Sequence, residues 1–192
     1  PAEVCFTCDD RDLTPSGDAL LTLGYLPACE LGCDLSIEGG VSRSLLASLD
    51  GIFALYARWY GLRRKPNVRC SRILESPARD ARRKGTRGTV LFFSGGVDSF
   101  YSLVTARAEI DALALVVGAD QDPRHEADAT ALRHLARDTA GKEKLPAIVV
   151  GTDARRVFDR LALWGEQFNG VMLAAIAHMA VGGIGAALFL QT

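Results

Sequence analysis

The chain has almost no charge imbalance: 22 Lys and Arg face 23 Asp and Glu, for a formal net charge of −1. A balance this close to zero gives no global attraction to nucleic acid or to an anionic membrane, so a polyanionic partner would have to be met by a local patch. Histidine is scarce, and the spacing of His125, His134 and His178 shows no metal-ligand pairing. No uninterrupted apolar run is long enough to span a bilayer. The longest apolar stretch, residues 171–190, is broken by His178, Gly182, Gly183 and Gly185 and has no basic flank, so it reads as a buried helix followed by a strand. There is no Gly-Lys-Ser or Gly-Lys-Thr, which excludes the Walker-type loop that sets a lysine on the phosphates. The cysteines number five, an odd count, and no secretory leader pattern opens the chain; a cytoplasmic setting is the expectation.

Nearly half of the residues, 48%, are apolar, enough for one full domain and a smaller appendage. Composition shifts across residues 77–88, a basic, apolar-poor stretch punctuated by Pro77 and Gly85, which reads as a linker. Residues 1–76 are predicted as a small α+β region. Its strands fall at 3–7, 34–38 and 68–74 and its helices at 16–29 and 42–60, with Ser16 a candidate cap and Leu45, Leu46, Leu49, Ile52, Phe53, Tyr56 and Trp59 along one helix face. Residues 89–192 alternate differently. Strands at 90–93, 112–117, 147–150 and 186–190 are separated by helical patterns at 99–107, 123–138 and 168–180, with a further segment at 155–163. That alternation predicts an α/β fold: an open, mostly parallel sheet with flanking helices, preceded by the α+β region.

The chemistry is concentrated where the first of these strands ends. Ser94-Gly95-Gly96-Val97-Asp98-Ser99 lies between the apolar run 88–93 and an amphipathic helical segment. Glycines at such a junction can adopt angles that a Cβ forbids, so successive amides can turn toward an anion with the positive end of the helix behind them. Ser94 and Ser99 offer hydroxyl donors. Asp98 fits an anion site either as a ligand to Mg²⁺ carried by a polyphosphate or as a group that orients the loop amides.

This hexapeptide resembles the pyrophosphate-binding loop of the N-type ATP pyrophosphatase (PP-loop) superfamily, with its adenine nucleotide alpha hydrolase-like fold. With the surrounding Leu91-Phe-Phe-Ser-Gly-Gly-Val-Asp-Ser-Phe-Tyr-Ser-Leu103, the chain is most similar to uncharacterised relatives of 7-cyano-7-deazaguanine synthase. The resemblance implies an ATP-dependent ligase or synthase that adenylates a carboxylate or carbonyl substrate and releases pyrophosphate, with ATP and Mg²⁺ as its cofactors. It also implies roles by residue: Ser94, Gly95, Gly96, Val97, Asp98 and Ser99 bind the nucleotide, Asp98 and Ser99 are catalytic, and Asp98 meets Mg²⁺ through ATP. Two departures stand out. The C-terminal cysteine cluster of the deazaguanine synthases is absent, since no cysteine follows Cys70, and 89–192 reads as a PP-loop domain incomplete at its C-terminus. The lack of later cysteines also weighs against a sulfur-transferring member.

Other residues enter by position. Asp120 follows the second strand of the alternating region, and Thr152 and Asp153 follow the third, on the edge where the glycine loop falls. Gln167 and Asn169 lie in a polar lead into the last helix, and Asn169 joins Asp120 as a candidate nucleotide contact. Cys5, Cys8, Cys29 and Cys33 have spacing near that of a zinc site, but small buried cysteine is the plainer reading and no zinc is expected. Two other functions stay open: an ATP-binding regulatory or interaction module without turnover, and a nucleobase- or tRNA-modifying enzyme whose RNA contacts would be Arg79, Arg82, Arg83, Lys84 and Arg87. No membrane partner is expected.

Overall fold

A computed structural model describes residues 3–14, 16–75, 88–119, 126–161, 163–180 and 184–188. In chain order the elements are β1 (Phe6–Cys8), α1 (Gly17–Leu31), β2 (Leu35–Ser42), α2 (Arg43–Tyr60), β3 (Val68–Leu74), β4 (Gly88–Phe92), α3 (Val97–Thr105), β5 (Ala112–Val117), α4 (Glu126–Lys142), β6 (Ala147–Thr152), the single turn α5 (Arg155–Phe158), α6 (Asn169–Ala180) and β7 (Ile184–Leu188). A 3₁₀ turn, Arg107–Glu109, follows α3, and a π turn, Trp164–Phe168, leads into α6. They form two compact units. One comprises Pro1–Thr14, Arg83–Val157 and Ala180–Thr192; the other comprises Pro15–Arg82 and Phe158–Met179. The units therefore interleave along the chain, where the sequence reading placed consecutive segments either side of a linker. Residues 76–87, which hold the linker cations, lie outside the described residues.

The first unit is the α/β sheet. Its strand order is β1-β6-β5-β4-β7, and β4, β5, β6 and β7 are mutually parallel while β1 adds antiparallel to the β6 edge. Parallel strands covered on both faces have no polar side to alternate with, and β5 (Ala-Leu-Ala-Leu-Val-Val) is buried at all six positions. Leu91, Leu113, Leu115 and Val149 from the strands and Phe93 just past β4 meet Leu103, Ala136 and Ala140 from the helices in one core. β1 is three residues long, and polar contacts flank it on both sides. The Cys5 amide donates to Asp153 Oδ1 at 2.7 Å, Thr152 Oγ1 donates to the Cys5 carbonyl at 3.0 Å, and the Val149 amide donates to Asp10 Oδ2 at 2.9 Å. These contacts cap the open edge of β6.

In the second unit β2 and β3 pair in parallel with α2 as the crossover between them, so the region predicted as α+β is a βαβ unit with α1 added. Gly32 ends α1 at φ 62°, and the Cys33 amide returns to the Ala28 carbonyl at 3.0 Å, a Schellman closure. Ser42 begins α2 by accepting from the Leu45 amide at 3.4 Å. Among the described residues, no helix is long and apolar enough to cross a membrane.

Candidate functional site

From β4 the chain steps to β5 and then β6 on one side, while β7 lies on the other side of β4. Strand order thus reverses at β4. In open parallel sheets the crevice outside the carboxyl ends at such a reversal is the usual ligand position. The turn that leaves β4 there is Phe93 to Gly96.

Gly95 makes that turn. It has φ +80°, a left-handed angle, and a Cβ on it would stand 2.7 Å from Leu135 Cδ2 of α4. Gly96, expected to share this freedom, has φ −80° and ψ 169°; it is the extended residue that precedes α3. α3 accordingly begins at Val97, two residues before the predicted start, because the helix takes its first carbonyl from Gly96: the Phe100 amide donates to it at 3.1 Å. Below the turn, the rings of Phe93 and Phe100 meet edge to face with centroids 4.9 Å apart, joining the strand end to the helix start.

Among the described residues, nothing accepts from the amides of Val97, Asp98 and Ser99. First-turn amides have no carbonyl one turn back, and here they stand at the positive end of α3. Asp98 is exposed on that turn. Ser94 is also exposed; its Oγ accepts from the Gly96 amide at 3.4 Å. Ser99 is placed otherwise than expected. It is 7% exposed and its hydroxyl donates inward to the Gly96 carbonyl at 2.8 Å, so it stabilises the turn and offers its amide outward.

The remaining candidates divide. Asp120 lies outside the described residues. Thr152 and Asp153 are engaged in holding the N-terminal strand: besides the Cys5 contacts, Thr152 Oγ1 accepts from the Ala154 amide at 3.1 Å and Asp153 pairs with Arg156 at 3.5 Å. Gln167 and Asn169 belong to the second unit. Gln167 is buried, accepting from the Leu163 amide at 2.6 Å and donating to Glu30 Oε1 at 3.3 Å, which gives it a structural task. Asn169 has helical angles and opens α6.

Cys5 and Cys8 lie in the first unit, and Cys29, Cys33 and Cys70 in the second. Among the described residues, no group of three or more His, Cys, Asp or Glu side chains is placed to hold a metal ion. Burial pushes the Cys29 thiol up to about 11.

Sequence reading did not anticipate two features. Val97, Tyr101 and Val104 of α3 are more than two-thirds exposed, an apolar strip beside the glycine turn. The second unit holds an apolar cavity of about 280 Å³. The helical spacing of α2 was the signal for the latter, since the face predicted as core is the face that lines it. No protein-family model matches this chain, and no curated protein or solved structure is matched by it.

Proposed function

We propose that the chain is an ATP-dependent ligase or synthase of the PP-loop type, acting in the cytoplasm, that adenylates a carboxylate or carbonyl oxygen of a small molecule and releases pyrophosphate. The observation that carries this reading is the turn at the reversal of strand order, with Gly95 at φ +80° and, behind it, first-turn amides of α3 that nothing accepts from among the described residues. Three amides and a helix terminus favour an anion most where charge accumulates, and in this reaction that is the departing pyrophosphate. Asp98, exposed on the same turn, is the residue that would hold Mg²⁺ arriving with ATP. The ion would supply neutralisation of the phosphate charge. Ser94 adds a hydroxyl at the rim, Ser99 keeps the turn closed, and Asp120 remains a proposed nucleotide contact.

Calorimetric titration with ATP, with Mg²⁺ and with chelator, tests the site. The expected outcome is saturable binding that Gly95→Val weakens at least tenfold in both conditions, while Asp98→Asn loses only the Mg²⁺-dependent part. ATP that fails to bind the unmodified protein ends the proposal. Pyrophosphate release on adding carboxylate substrates separates a ligase from a module that binds ATP without turnover.

A further inference from the structure

The second unit contains a cavity of about 280 Å³ between α1, α2 and α6. Leu21 and Leu26 come from α1, Leu45, Leu49 and Ile52 from α2, and Ala174 from α6. Three hydroxyls in this wall are already committed to the backbone. The Tyr25 hydroxyl donates to the Leu49 carbonyl at 3.3 Å, the Tyr56 hydroxyl to the Gln167 carbonyl at 3.2 Å, and Thr22 Oγ1 to the Asp18 carbonyl at 2.7 Å. Burial raises the Tyr25 hydroxyl to about 12 and the Cys29 thiol to about 11, so both stay neutral at physiological pH. His178 also lines the cavity, and it is exposed, which marks the solvent side.

A cavity lined mainly by apolar side chains favours an apolar occupant, since water finds few polar partners there. We propose that this cavity is a binding site for a small, uncharged, apolar molecule, aromatic or short-chain acyl, with any polar end directed toward His178. Its size suits about a dozen heavy atoms, given that a cavity of roughly 150 Å³ with similar lining holds benzene. A charged headgroup inside would find no counter-ion, so the site discriminates by desolvation. This proposal does not rest on the nucleotide reading, because no residue of the glycine turn lines the cavity.

The test uses indole as probe on the full chain, by calorimetry and by ligand-observed NMR, with tryptamine as the charged comparison. Saturable indole binding is expected, with tryptamine at least tenfold weaker and NMR contacts from indole to the methyls of Leu45 and Ile52. Ala174→Phe places a ring in the cavity and should weaken indole at least tenfold with the melting temperature held or raised, while ATP binding is unchanged. The NMR contacts keep the proposal falsifiable if that variant does not fold. Absence of saturable binding overturns the proposal, as do contacts to other residues. A sedimentation result in which indole dissociates a dimer also overturns it, by showing that a second copy covers the cavity.

Discussion

At position 95 an alanine would have to hold φ near +80°, a region that costs a residue with a Cβ about 1–2 kcal/mol. At position 96 the same alanine would sit at φ −80°, with its Cβ 3.5 Å from Ser94 Oγ, an ordinary contact. Gly95→Ala is therefore expected to lower the unfolding free energy by about 1–2 kcal/mol, and Gly96→Ala to change it by less than about 0.5 kcal/mol. Urea midpoints of the two variants decide this; equal losses would show that the angle at 95 is not what the turn requires. The motif itself was legible because glycine and hydroxyl residues between a strand and a helix narrow the local geometry. Which glycine carries the left-handed angle was not, since either can adopt either sign of φ. The inward turn of Ser99 was hidden for a related reason. A hydroxyl in a first helical turn can reach the carbonyl three residues back as easily as it reaches a ligand.

At the scale of elements, the start of α1 shows how a sequence signal can name the wrong side chain. Ser16 occupies the cap position, with φ −136° and ψ 131°, yet its side chain makes no capping bond. Asp18, one residue into the helix, accepts from the Ser42 amide at 2.7 Å and so ties the first turn of α1 to the residue that caps α2. We expect Asp18→Ala to cost about 1–3 kcal/mol, since it leaves a partly buried amide unpaired, and Ser16→Ala to cost under about 0.5 kcal/mol. Thermal melts of the two variants check the contrast, and a larger loss from Ser16→Ala would refute it. The strands at 68–74 and 112–117 were legible to the residue, being apolar or alternating runs between clear breaks. The alternation predicts a strand over 34–38 only, stopping just before Gly39-Gly40. The strand instead absorbs the pair as a bulge, with Gly39 at φ 148° and the register slipping between Ile37 and Gly40, and continues to Ser42.

Across the whole molecule, periodicity can disclose elements but says little about which distant segments share a core. The parallel sheet was legible from its alternation. The assignment of β1 to the far edge of that sheet was not, nor was that of residues 158–179 to the other unit. Both depend on long-range contacts, such as Tyr56 to Gln167 and Tyr60 to Glu166, that leave no local trace. A fragment cut in the basic segment and expressed as residues 88–192 would lack β1 on the β6 edge, and its α6 would lack the walls contributed by α1 and α2. We expect that fragment to lose the cooperative calorimetric transition of the full chain and to recover it on co-expression with residues 1–87. A cooperative transition from the fragment alone would show those contacts to be dispensable.

The interleaving also sets a schedule for synthesis. The ribosome delivers residues 15–82 early, but their unit is complete only once Met179 has emerged. At roughly 5–20 residues per second, that interval is on the order of 5–20 s. During it the apolar faces of α1 and α2 have no α6 to meet, so the rate of translation sets the earliest moment at which this unit can close. Slowing elongation between residues 83 and 179 would lengthen the window in which those faces stay uncovered.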